Sequence, residues 1–254
     1  MIPRVIPCLL LGGAGLVKTV NFRDPRYVGD PINAVRIFND KQADEIVVLD
    51  IRATAEGRGP NLEAVAEIVS EAFMPVAYGG GVADLDTAIS LIQVGVEKVV
   101  VNTAASERER LVAEISDHLG SSTLVVSIDA ARRPDGTYEV MTRAGTRASG
   151  RDVQAHAEEM ARRGAGELFL TSIDRDGTMS GYDLELIGQV AKAVPIPVVA
   201  CGGAGSTADL VSAVRDGGAA AAAAGSLFVF HGRHRAVLIT YPSYEVRSQL
   251  FTTG

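Results

Sequence analysis

EIVVLDI, residues 45–51, returns as ELFLTSI at 167–173, and PVAYGGG, residues 75–81, returns as PVVACGG at 197–203. Each copy lies 122 positions after its mate (167 against 45, 197 against 75). The runs are rich in Val, Ile and Leu and do not alternate with polar residues, as expected of parallel strands buried on both faces. Similar runs complete a set of eight at 5–11, 45–51, 75–78, 98–101, 124–128, 167–172, 197–200 and 219–224. Amphipathic patterns of helical period fill the gaps at 31–40, 61–72, 84–94, 107–119, 151–163, 183–194 and 207–214. Several begin just after Asp, Ser or Thr, which suit helix N-caps. Eight strands, each followed by a helix, with a repeat near the half-way point, predict an α/β chain folded as a closed (β/α)8 barrel of two similar halves. One domain over residues 1–254 is expected. Only 132–150, RRPDGTYEVMTRAGTRASG, breaks the rhythm; its PDG turn between extended pieces predicts a β-hairpin insertion after the fifth strand.

Bulk properties narrow the function. The net charge of −7 argues against a nucleic-acid surface, which recruits excess Lys and Arg. Arg4 and Pro7 interrupt the apolar start, and no stretch reaches the roughly 18 apolar residues of a membrane helix, so neither a signal peptide nor a membrane partner is expected. Cys8 and Cys201 are far apart and form neither a disulfide framework nor a metal pattern. A cytoplasmic protein without a metal or cofactor is the expectation.

In a barrel of this kind the chemistry sits where the strands end at their C-terminal side. Glycines follow the third strand (Gly79, Gly80, Gly81) and the seventh (Gly202, Gly203), and Gly225 with Ser226 follows the eighth. Such residues let backbone N–H groups approach an oxyanion, so these repeat-related loops predict two phosphate sites at one mouth. Asp129, ending the fifth strand in VSIDA, would stand between them as a general acid or base. Aligning IPCLL with VVSID sets Leu10 opposite it, at an offset of 119 (129 against 10). The place for a second carboxylate therefore holds hydrocarbon. Asp50 and Asp176 are further carboxylates near the mouth, and Lys18 after the first loop is a candidate anion contact.

The segments IPCL, LVKTVNF, GDP, DEIVVLDI, YGGGV, EKVVVNTAA, SIDAARR, GAGELFLTSIDRDGT, SGYDLEL and ACGGAG together resemble the cyclase subunit of imidazole glycerol phosphate synthase over nearly the whole chain. The resemblance implies a lyase-type cyclase without cofactor, paired as a heterodimer with a glutaminase subunit. Ammonia from that partner would pass through the barrel to a bis-phosphorylated ribotide. Its phosphate contacts fall on Gly81, Asn102 and Thr103 in one half and on Asp176, Gly177, Gly203, Gly225 and Ser226 in the other. Its ammonia gate falls on Arg4, Glu45, Lys98 and Glu167, and its two catalytic aspartates on Asp129 and on the position of Leu10.

Leucine cannot move a proton, and general acid–base transfer typically contributes about 10²–10⁴ in rate. This departure, with VNFRDPRYVGDPINAVRIFN and the tail FVFHGRHRAVLITYPS, resembles a paralogous group that works beside a glutaminase and an N-acetyl sugar amidotransferase forming acetamidino sugars on surface polysaccharides. Three readings stay open: an ammonia-conducting subunit for such a third protein, a working cyclase of histidine biosynthesis, and a scaffold that binds a bisphosphate without turnover.

Overall fold

The computed structural model describes residues 2–232 and 234–252. Eight strands follow one another around a ring: β1 Arg4–Leu11, β2 Ile46–Asp50, β3 Val76–Gly79, β4 Lys98–Val101, β5 Leu124–Arg132, β6 Glu167–Ser172, β7 Val198–Cys201 and β8 Ala221–Ala224. Each pairs in parallel with the next, and β8 returns to β1 from Arg4↔Ala221 to Pro7↔Ala224, closing the barrel. The expected (β/α)8 barrel is therefore the fold. Among the described residues no helix is long and apolar enough to cross a membrane.

Helices cover the outside: α1 Pro31–Asp40, α2 Leu62–Glu71, α3 Leu85–Gln93, α4 Leu111–Leu119, α5 Val153–Arg162, α6 Leu184–Ala193, α7 Thr207–Arg215 and α8 Tyr244–Thr252. Their starts follow from side-chain chemistry. Asp30, Asn61, Asp84, Asp152 and Asp183 each accept the N–H three residues on, and Ser206 with Asp209 forms a reciprocal capping box. The pattern at 107–119 is not one helix. A short turn, Thr103–Glu107, ends where Arg108 turns extended, and α4 begins at Leu111.

Apolar side chains separate into two shells. The larger packs the helices against the barrel's outer face, with Phe38, Leu91, Ile115 and Phe228 fully buried. The smaller fills the barrel, where Phe169 of β6 shares the interior with the small Ala221 and Ala223 of β8. At the N-terminal rim the tail is bolted on. Tyr241 donates to the Val5 carbonyl at 2.7 Å, and buried Arg247 pairs with Asp44 at 3.0 Å and stacks on the Tyr241 ring.

The duplication is geometric as well as textual. Gly80 and its mate Gly202 both have positive φ (+112° and +90°), and a Cβ on either would collide with a backbone carbonyl, of Asp50 and of its mate Ser172 respectively. Only glycine allows that approach. Antiparallel strands also grow from β1 and β5. After β5, Tyr138–Thr142 pairs with it and Arg147–Asp152 pairs in turn with Tyr138–Thr142. Those after β1, Leu16–Val20 and Arg23–Gly29, lie where the sequence suggested only a loop. Pairing Leu10↔Val17 and Leu11↔Leu16 draws Lys18 and Thr19 off the surface and buries both. The two projections meet at their tips, where Gly145 lies against Phe22.

Candidate functional site

Strand alternation gives each stave an inward column. On β1 it is Arg4, Ile6, Cys8 and Leu10; on β5 Val125, Ser127 and Asp129; on β6 Glu167, Phe169 and Thr171. The first members of these columns make the N-terminal rim and the last make the C-terminal mouth.

At the rim the four expected charges form a closed ring. Arg4 bridges Glu45 and Glu167, and Lys98 Nζ bridges the same carboxylates at 3.0 Å each. Both glutamates are nearly buried while the cations keep partial exposure, so every carboxylate is paired with two cations before it loses water.

At the mouth lies a cavity of about 320 Å³. Leu10, Leu49, Ile51 and Phe22 line it together with Asp129, Asn102, Thr103, Thr171 and Asp176. Asp129 is buried and accepts a hydrogen bond from Asn102 Nδ2 at 3.1 Å. Burial pushes its carboxyl up to about 7, against that hydrogen bond, which favours the ionised form. Asp176 accepts from Thr19 Oγ1 at 2.9 Å, and burial pushes it up as well. The mouth thus holds Asp129 poised to gain or lose a proton near neutrality, with Leu10 at its repeat-related position.

Beside this cavity is a narrow recess of about 30 Å³ formed by Lys18, Asp176, Gly177, Gly203, Gly225 and Ser226. The fold thus brings together all the residues expected in the second half-site. Lys18, the candidate anion contact, does not stand out in solvent. It is buried, and its ammonium donates to the Cys8 carbonyl at 2.6 Å.

The first half-site assembles less completely. Asn102 and Thr103 reach the cavity, but Gly81 does not line it. A Cβ there would lie 2.6 Å from the Arg58 carbonyl, so the loop after β2 covers it and Gly80 faces the cavity instead. Asp50 reaches the cavity wall, yet its oxygens are engaged by the N–H groups of Arg52 and Ala53 and by the Arg58 guanidinium, 2.8 Å away. Its principal partner is its own loop.

Sequence reasoning passed over Thr19, Phe22, Thr171 and Arg143, which line the same cavity. Counting alternate positions from Glu167 would have found Thr171; the others depend on where two hairpins fold. Cys8 and Cys201 meet at the cavity floor as free thiols, and the neighbouring Cys8 sulfur together with burial holds Cys201 above the usual thiol range. Among the described residues no group of three or more His, Cys, Asp or Glu is placed to hold a metal ion.

Residues 4–235 match the family model described as histidine biosynthesis protein. A provisionally named imidazole glycerol phosphate synthase subunit of Pseudomonas aeruginosa is 51% identical over 239 residues, covering 94% of this chain and 95% of the relative. A second, from Leptospira borgpetersenii, is 45% identical over 250 residues and covers 98% of both chains. The imidazole glycerol phosphate synthase subunit of Symbiobacterium thermophilum is 46% identical over 232 residues, covering 91% of both. With the barrel and its mouth on the same framework, the chain belongs to the histidine biosynthesis protein family as a homologue of the imidazole glycerol phosphate synthase cyclase subunit.

Proposed function

We propose that this chain is an ammonia-conducting barrel subunit. It takes ammonia from a glutaminase partner at the rim of Arg4, Glu45, Lys98 and Glu167, and passes it along the barrel to the mouth. A third protein, an N-acetyl sugar amidotransferase, then uses the ammonia to form an amidine on a polysaccharide sugar. The mouth binds a phosphorylated small molecule without cyclising it. The observation that carries this reading is the inward column of β1, which ends at the cavity in Leu10 where β5 ends in Asp129. Cyclisation needs one group to give a proton while another takes one, and the duplicated framework offers a carboxylate on one side alone.

Supplied with ammonium and the bis-phosphorylated ribotide, the purified chain is expected to show no turnover above background. Added to a glutaminase partner, it is expected to stimulate glutamine hydrolysis. Turnover near that of a relative with aspartate at this position, or no effect on any glutaminase tested, would sink the proposal.

A working cyclase is the second reading, and Asp176 favours it. Its buried carboxyl, with a raised pKa, is a further proton carrier lining the same cavity. On that reading the ribotide is turned over and Asp176→Asn abolishes the activity.

A further inference from the structure

The two half-sites come from one duplicated framework, so their differences show what each was left to bind. The carbonyl two residues before the strand-end position is capped in both halves. In the first half Asn102 Nδ2 donates to Ser127 O at 3.1 Å; in the second Lys18 Nζ donates to Cys8 O at 2.6 Å. Asn102 and Gly225 are counterparts, each preceding a short helical turn with unusual backbone angles (φ −119°, ψ −90° and φ −108°, ψ −71°). A Cβ on Gly225 would collide with Lys18 Nζ. The ammonium therefore occupies in one half the space that the amide side chain occupies in the other.

The charge that follows is unequal. Asn102 is neutral and also hydrogen-bonds Asp129. The cations around the first half-site are already spent: Arg58 on Asp50 and Glu56, Arg52 on Glu56, and Arg143 on Glu107. The Thr103 hydroxyl donates to Asn102 Oδ1 and accepts from the Arg143 N–H. In the second half-site the strand-end residue is Leu10, which offers the ammonium no countercharge. Asp176 feels the Lys18 charge, but among the described residues no carboxylate lies within ion-pair reach of it. The hydroxyl of Ser226, in the same recess, has no hydrogen-bond partner among the described residues. A buried cation whose neighbouring carboxylate stays beyond ion-pair reach is costly unless an anion comes closer.

We infer that the mouth takes a ligand with a single phosphate, seated against Lys18 and Ser226, whose other end is uncharged and lies on the neighbouring apolar side chains of Leu10 and Leu49. This rests on reading the mouth as a phosphate-ester site, but it departs from the two equal anion sites that the repeated glycine loops suggest.

Calorimetric titration of the full-length chain tests it with inorganic phosphate, n-butyl phosphate and butane-1,4-diyl bisphosphate as probes. One equivalent of inorganic phosphate per chain is expected. Butyl phosphate should bind more tightly than inorganic phosphate, because its chain meets Leu10 and Leu49. The bisphosphate should gain no more than about twofold over butyl phosphate, the statistical factor for two equivalent ends. Lys18→Met should weaken phosphate by about tenfold or more, the loss of one charge-assisted contact; should that variant not fold, Ser226→Val carries the same test by blocking the recess. Two equivalents of phosphate, a bisphosphate bound more than about tenfold tighter than butyl phosphate, wild-type affinity in the folded variants, or no binding overturns the inference. Loss of glutaminase stimulation with one-phosphate binding intact sinks the ammonia reading alone. Two-phosphate binding with stimulation intact sinks this one alone.

Discussion

Asp129 shows at the scale of one residue how burial sets both chemistry and stability. Its folded pKa, about 7, lies above the ordinary carboxylate value of 3.8. Between those pH values the unfolded chain has lost this proton and the folded chain keeps it. Stability from this group is complete below the ordinary value and is lost as pH rises through about 7. Asp129→Asn keeps the shape and an acceptor for Asn102 but cannot ionise. Its stability relative to the wild type, by urea denaturation, should therefore rise from pH 4 to pH 8, by on the order of a few kcal/mol. Buried His156 titrates with the opposite sign. Desolvation pushes it down to about 4, and its Nε2 meets Ser106 Oγ at 3.3 Å. Its contribution is present above the ordinary histidine value and is lost as pH falls through about 4. A ¹³C NMR titration of its ring should show no protonation step between pH 8 and pH 5.

At the scale of elements, the rim ring and the paired hairpins each make one expectation. Lys98→Met leaves Glu45 and Glu167 sharing Arg4 alone. A fully buried pair broken in this way loses about 3–5 kcal/mol; partial exposure of Arg4 and Lys98 places this loss below that range, and chemical denaturation measures it. At the meeting of the hairpins, Gly145 has φ +76° and a Cβ would lie 2.9 Å from the Phe22 ring. Gly145→Ala should cost at least about 1 kcal/mol by the same measurement. These elements were unequally legible. Val, Ile and Leu runs buried on both faces announce barrel strands whatever their neighbours do, and 98–101 and 167–172 coincide with β4 and β6. LVKTV does not announce itself, because Lys18 and Thr19 become buried only when Leu16 and Val17 pair with β1. Asp50 likewise pointed to the mouth, but its bond to Arg58 depends on a loop path that no local pattern encodes.

Across the whole molecule the repeat was the most legible feature, because glycines at mated positions meet the same obstacle. Gly80→Ala and Gly202→Ala should therefore fail together, each losing on the order of 3 kcal/mol or more in thermal unfolding, since the φ angle and the facing carbonyl both forbid a Cβ. What the repeat hid was its own imbalance. Matched glycine loops suggested matched anion sites, and the difference lies in Lys18, which reaches the second loop from a hairpin outside the repeated segments.

The seam between β1 and β8 has a consequence for how the chain is made. Arg4 waits for Ala221, 217 positions later (221 against 4), and Val5 then receives Tyr241 from further along still. At about 5–20 residues per second, translation leaves β1 without that neighbour for roughly 10–40 s. Throughout that interval Ile6 and Cys8, buried in the finished barrel, have no enclosure. A ribosome stalled before codon 221 would present the open flanks of β1 and β7, which attract other chains. The stretch of synthesis before Ala221 is thus the interval in which this chain is most exposed to aggregation.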